Sequence, residues 1–141
     1  MTWRFLTQKR YDMMKEELLQ GWPVQFKGAG NSLAPHVVSG DTCFIDPIRP
    51  GINSEILAGD IVFASVQPND RHFIHLVWRV DEWENEYGVA RTVYVIGNNY
   101  IDHRKKCNGW AYREHVFGIL TKTERGVVTP ERKEIYDSDS G

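Results

Sequence analysis

Ser32 stands two residues after Gly30 and three before Pro35, in the stretch GAGNSLAPHVVSGD that runs from Gly28 to Asp41. Serine alone is a poor nucleophile because its hydroxyl holds its proton far above neutral pH, so catalysis requires an adjacent base and donors for an oxyanion. Gly28 and Gly30 allow the backbone to turn sharply and approach a carbonyl closely, and Pro35 fixes the chain just beyond the hydroxyl. A serine in a turn is also an ordinary structural feature, so the chemistry depends on a partner. The segment HFIHLVWRV offers His72 and His75, and no lysine lies between Lys27 and Lys105. A neutral imidazole is available as a base at physiological pH, since histidine titrates near pH ~6.5. On a strand, residues three apart point to opposite faces, so His72 and His75 cannot line one site. His75 is expected to share its face with Phe73, Val77 and Arg79, and His72 with Ile74, Leu76, Trp78 and Val80. The same alternation argues against a metal site built from the pair.

The elements that must position these groups follow from periodicity. From Thr7 to Gln20 the pattern is helical, with Tyr11, Met14 and Leu18 in one stripe and Lys9, Arg10, Lys15, Glu16 and Glu17 on other faces. Gly21 and Pro23 end it. Beyond that, β-branched and aromatic runs separated by Gly, Pro, Asn and Asp predict strands at Val24 to Lys27, Thr42 to Asp46, Asp60 to Val66, His72 to Trp83, Arg91 to Gly97 and His115 to Thr123. QPND and ENEYG are expected as hairpin turns, and DPIRPGINSEILAGD as a loop. The chain therefore divides into an N-terminal helical segment over 1–23, a β domain over 24–123 and a polar, disordered tail over 124–141, with TPERKEIYDSDSG especially poor in apolar residues.

At 141 residues, with 41% apolar and 26% charged residues and a net charge of −2, the composition is that of one neutral globular domain. That balance gives no general reason to bind nucleic acid or anionic lipid. Cys43 and Cys107 form no CxxC pair, so both are expected as reduced thiols of a cytoplasmic protein, and neither a zinc site nor any other cofactor is expected. No run reaches the ~18 apolar residues that a membrane helix needs, and the charged N-terminus excludes a signal peptide.

GNSLAPHVVSGD resembles the serine motif of the type I signal peptidase and LexA-type repressor superfamily, in which a Gly, any residue and the nucleophilic Ser are followed by Pro and, eight and nine places after the serine, by Gly-Asp. Gly30, Ser32, Pro35, Gly40 and Asp41 fall on those positions, with Leu33 in place of the usual Met. Gly59-Asp60 opening a strand, the hairpin return with HFIHLVWRV, and IGNNY as a Gly-Asp-Asn-like turn are similar to the family's further landmarks. The likeness covers about Val24 to Leu120. It implies a twisted β-sheet or partial barrel with one N-terminal helix. Because the base strand lacks lysine, the nearest branch is the archaeal and endoplasmic-reticulum one, which uses histidine; this gives Ser32 as nucleophile and His75 as base. The orienting third member is expected at Asn98, where the family has Asp, or at Asp102. Gly30, Asn31, Leu33 and Pro35 are the expected substrate contacts, and the amide of Ser32 one oxyanion donor.

The resemblance implies an endopeptidase for extended peptide or protein segments, bound as an added strand, with small residues before the cut. The missing membrane span argues against a true signal peptidase, and about 23 residues before the first strand are too few for a repressor's DNA-binding domain. A stand-alone domain of a phage, plasmid or bacterium remains, with a homodimer allowed. The Ala29-Gly30 bond resembles a repressor cleavage site but lies too near Ser32 for attack within one molecule. Two other readings are a catalytically inactive binding module and a nucleic-acid binder built on DHRKKCNGWAYREH, the latter disfavoured by the acidic balance.

Overall fold

The computed structural model describes residues 8–28 and 30–128. The protein is mainly β, with one N-terminal α-helix, α1 (Gln8–Leu19), and an antiparallel sheet of eight strands: β1 (Val24–Lys27), β2 (Thr42–Pro47), β3 (Ile61–Val66), β4 (Arg71–Glu84), β5 (Ala90–Gly97), β6 (Cys107–Ala111), β7 (Val116–Thr123) and β8 (Gly126–Val127). The expected start of the helix at Thr7, the Ala29-Gly30 bond and the tail TPERKEIYDSDSG involve positions outside the described residues. No helix among the described residues is long and apolar enough to cross a membrane.

α1 buries Met14 and Leu18, two members of the predicted stripe. It ends where Gly21 adopts φ +91°. There the amides of Gly21 and Trp22 donate back to the carbonyls of Leu18 and Glu17, which satisfies two of the orphan acceptors of the last turn.

The strands lie in the order β1-β2-β7-β3-β4-β5-β6, with β8 returning beside β7. β3 is buried along its whole length, so both faces of the sheet carry a core. On one face Met14 and Leu18 of α1, with Leu33 and Val37 from the loop after β1, pack on Ile45, Phe63, Leu76, Trp78 and Leu120. On the other, Val62, Ala64, Val77, Tyr94, Ile96 and Val116 form a second cluster. The sheet curls over that second cluster far enough for Gln67, just past β3, to exchange backbone hydrogen bonds with Trp110 of β6.

Three expectations are corrected. The register of β4 against β5 shifts between Val77 and Arg79, so Trp78 is an extra residue in a bulge. Val80 therefore changes sides and packs with Val77 instead of Trp78. Cys107–Ala111 forms β6 inside DHRKKCNGWAYREH, where no strand is expected. The ordered chain also continues past Thr123: β8 pairs with β7, and Val128 packs on the first core. Residues 124–128 thus belong to the β domain, because Gly126 at φ +141° lets the chain reverse onto β7.

Candidate active site

The loop from Gly28 to Asp41 is closed at its neck, where Gly28 donates to the Asp41 carbonyl at 2.8 Å and Gly40 to the Gly28 carbonyl at 2.9 Å. Gly40 has φ +92°, in the left-handed region that glycine enters without steric penalty. Asp41 then folds its carboxylate back onto the amide of Val38 at 2.9 Å. The second Gly-Asp pair repeats the device: Gly59 has φ +96° and Asp60 accepts from the amide of Leu57 at 2.9 Å. Asp41 is buried and is gripped by Arg125, whose Nη2 lies 2.7 Å from Oδ2. That Arg125 bond, more than any other contact, holds the Asp41 carboxyl below the usual carboxylate range. The same guanidinium also donates to the carbonyls of Pro35 and His36.

Leu33 and Val37 plug the loop into the first core, and Asn99 clasps its crown. The Asn99 amide donates to the Ser32 carbonyl at 2.7 Å and its side-chain nitrogen to the Ala34 carbonyl at 2.7 Å. Held from below and from the side, Ser32 directs its Oγ to within 3.4 Å of His75 Nε2. Hydrogen bonds at such sites are often long before a substrate closes them. Among the described residues the Ser32 amide has no acceptor, which leaves it available to an incoming oxygen.

His75 lies on β4 opposite Val62, one position beyond the last β4–β5 pair, Leu76 with Gly97. The Phe73 ring stacks on the imidazole at 5.1 Å. Its Nδ1 is 2.8 Å from Asn108 Oδ1. A carboxamide oxygen only accepts, so Nδ1 carries the hydrogen and Nε2 presents its lone pair to Ser32. Burial pushes the His75 pKa below the usual value; the Asn108 bond opposes this and the charge of Lys106 adds to it. The ring is therefore neutral at physiological pH, in the state a general base requires.

Asn108 reaches His75 through an irregularity. Ile96 pairs with Gly109 but Gly97 pairs with Cys107, so Asn108 is an extra residue bulged out of β6. Such bulges re-aim a side chain that a regular pleat would send elsewhere. The sequence around it, KKCNGWA, has too little β-branched character to announce a strand, let alone its register.

Asn98 and Asp102, the expected orienting residues, are both engaged elsewhere. Asn98 is buried; its oxygen accepts from the amides of Tyr100 and Lys106 and its nitrogen donates to the Arg104 carbonyl, so it ties together the connection from β5 to β6. Asp102 is exposed and forks onto Arg104, with Nη2 at 2.7 Å, and this hydrogen bond drives its pKa far below the usual carboxylate value. The connection curls on itself, so an acid two residues before an arginine finds that neighbour first. Of the expected substrate contacts, Gly30, Asn31 and Pro35 lie exposed on the loop, whereas Leu33 is buried in the first core.

His72 faces the first core, as the alternation along the strand requires. Its ring stacks with Tyr11 at 5.9 Å and its Nδ1 is 2.9 Å from Gln8 Nε2, so it serves to dock α1. Cys43 and Cys107 are free thiols, and burial pushes the Cys43 pKa up to about 11. Among the described residues no cluster of three or more His, Cys, Asp or Glu could hold a metal ion. Comparisons of the chain with protein-family models, with curated proteins and with solved structures give no match.

Proposed function

We propose that the protein is a serine endopeptidase of the signal-peptidase and LexA type, acting in the cytoplasm on extended peptide segments with small residues before the cut. One observation carries this reading: a loop serine meets the lone pair of a half-buried neutral imidazole whose other nitrogen is fixed by Asn108. In the first step the Ser32 hydroxyl gives its proton to His75 Nε2 while Oγ bonds to the substrate carbonyl carbon. The electron pair moves onto the carbonyl oxygen, which the Ser32 amide stabilises. The intermediate collapses as His75 returns the proton to the leaving amine, and water repeats the sequence on the acyl-enzyme. Asn108 keeps the tautomer correct throughout.

A second reading, a peptide-binding module without turnover, is favoured by the neutrality of Asn108. An amide steadies an imidazolium by its dipole alone, where an aspartate would add a full charge. Reaction with a fluorophosphonate separates the two. The expected result is a single adduct on Ser32, absent in Ser32→Ala and slowed on the order of 100-fold or more in His75→Ala. A folded wild-type protein that stays unmodified would end the hydrolase reading in favour of the module.

A further inference from the structure

The rim of the candidate site carries a charge that the proposed reaction does not use. Between Gly97 and Asn108 the chain bears Arg104, Lys105 and Lys106 against Asp102, in a molecule whose net charge is −2. The register sets this segment beside the base. Leu76 pairs with Gly97, so Asn98 comes next to His75. Asn98 in turn exchanges two hydrogen bonds with Lys106, donating to its carbonyl at 3.1 Å and accepting from its amide at 3.2 Å.

The three cations are not equivalent. Arg104 is spent on Asp102 and lies over the Tyr100 ring at 4.1 Å, and Lys105 lies over Trp78 at 5.5 Å. Lys106 is exposed and has no carboxylate partner among the described residues. It is also the cation whose charge is felt at His75. The acid of the same connection, Asp102, is paired with Arg104.

We propose that Lys106 is a specificity-determining residue that selects peptides with an Asp or Glu side chain near the bond held at Ser32. The proposal rests on the peptidase reading and narrows its substrate to acidic segments. A nucleic acid would need several cations along its backbone and open aromatic faces for its bases. Here one cation is uncommitted, Trp110 packs on Trp83 at 5.5 Å and Tyr112 lies under Arg91 at 3.9 Å. A single ammonium suits a single carboxylate.

Labelled Ser-Ala scaffold peptides, with Glu, Gln or Lys placed at each position in turn, provide the test. Binding is read by fluorescence anisotropy on Ser32→Ala, and cleavage by mass spectrometry on the wild-type chain. At one or more positions Glu should bind about fivefold more tightly than Gln at low salt, the gap closing as ionic strength rises past ~0.15 M. Lys106→Gln in the Ser32→Ala background should erase the difference, and Lys106→Glu should turn it toward the Lys peptides. Equal binding of Glu and Gln peptides, a preference that survives Lys106→Gln, or tighter binding of oligothymidylate than of any peptide would overturn the proposal. If Lys106-dependent Glu preference is found while no peptide is cut and Ser32 resists the phosphonate, the acidic selectivity stands and the peptidase reading falls. Cleavage without Glu preference has the opposite meaning.

Discussion

Asn108 gives His75 its tautomer without giving it a counter-charge, and this sets the pH response of the site. The folded ring has its pKa below the ordinary histidine value because of burial and Lys106, with the Asn108 bond pulling the other way. Labelling of Ser32 should thus hold through pH ~6.5 and fall only below it, as the ring takes up a proton and can no longer accept one from the serine. Asn108→Asp would place an anion against Nδ1 and should move that acid limb, and the titration of the His75 ring protons in NMR, upward by about one unit. Asn108→Ala should move both downward. Shifts in one direction for both variants would mean that Asn108 merely fills space. The pairing of Ser32 with His75 comes from the resemblance to the signal-peptidase and LexA superfamily, with strand alternation separating His75 from His72, and the two side chains lie 3.4 Å apart. Asn108 was not legible in the sequence, because no local pattern signals a bulge that aims a side chain at a residue 33 positions away.

Among the elements, α1 and six strands follow from periodicity, while β6 and β8 do not. β6 is poor in β-branched residues and gains its place from neighbours: β5 pairs along one side, and Gln67 meets it on the other. Gly109 makes that second contact feasible. It has φ +139°, and a Cβ there would lie inside van der Waals contact with the Gln67 carbonyl. Gly109→Ala should therefore part β6 from the end of β3, lower the melting temperature by more than ~5 °C and pull Asn108 from His75. Thermal unfolding read by circular dichroism, together with the labelling rate, checks this. Unchanged melting would mean the seam contributes nothing to the fold. Asn98 and Asp102 show the converse limit of sequence reading, since the inward or outward course of a connection depends on which local partners its polar side chains find first.

Across the whole molecule, two histidines of opposite faces bear on stability in the same direction. His72 and His75 both have pKa values lowered chiefly by burial. The unfolded chain thus binds more protons than the folded one between the lowered values and about 6.5, so their contribution is complete above pH ~6.5 and disappears as pH falls through the folded values. Denaturant midpoints should drop from pH 7 to pH 5, and His72→Asn should flatten part of that slope; a midpoint insensitive to pH in the wild-type chain would refute the linkage. The strand order was beyond the sequence, because β7 inserts between β2 and β3 through contacts remote along the chain. Arg125 shows what such remoteness entails, for it secures Asp41 and the carbonyls of Pro35 and His36 from 84 to 90 positions downstream. While the polypeptide emerges from a ribosome, the serine segment lacks this anchor until Arg125, 84 residues past Asp41, has been synthesised. The loop that carries Ser32 therefore gains its last ion pair as a late event of folding, after β7 has brought Arg125 back beside Asp41.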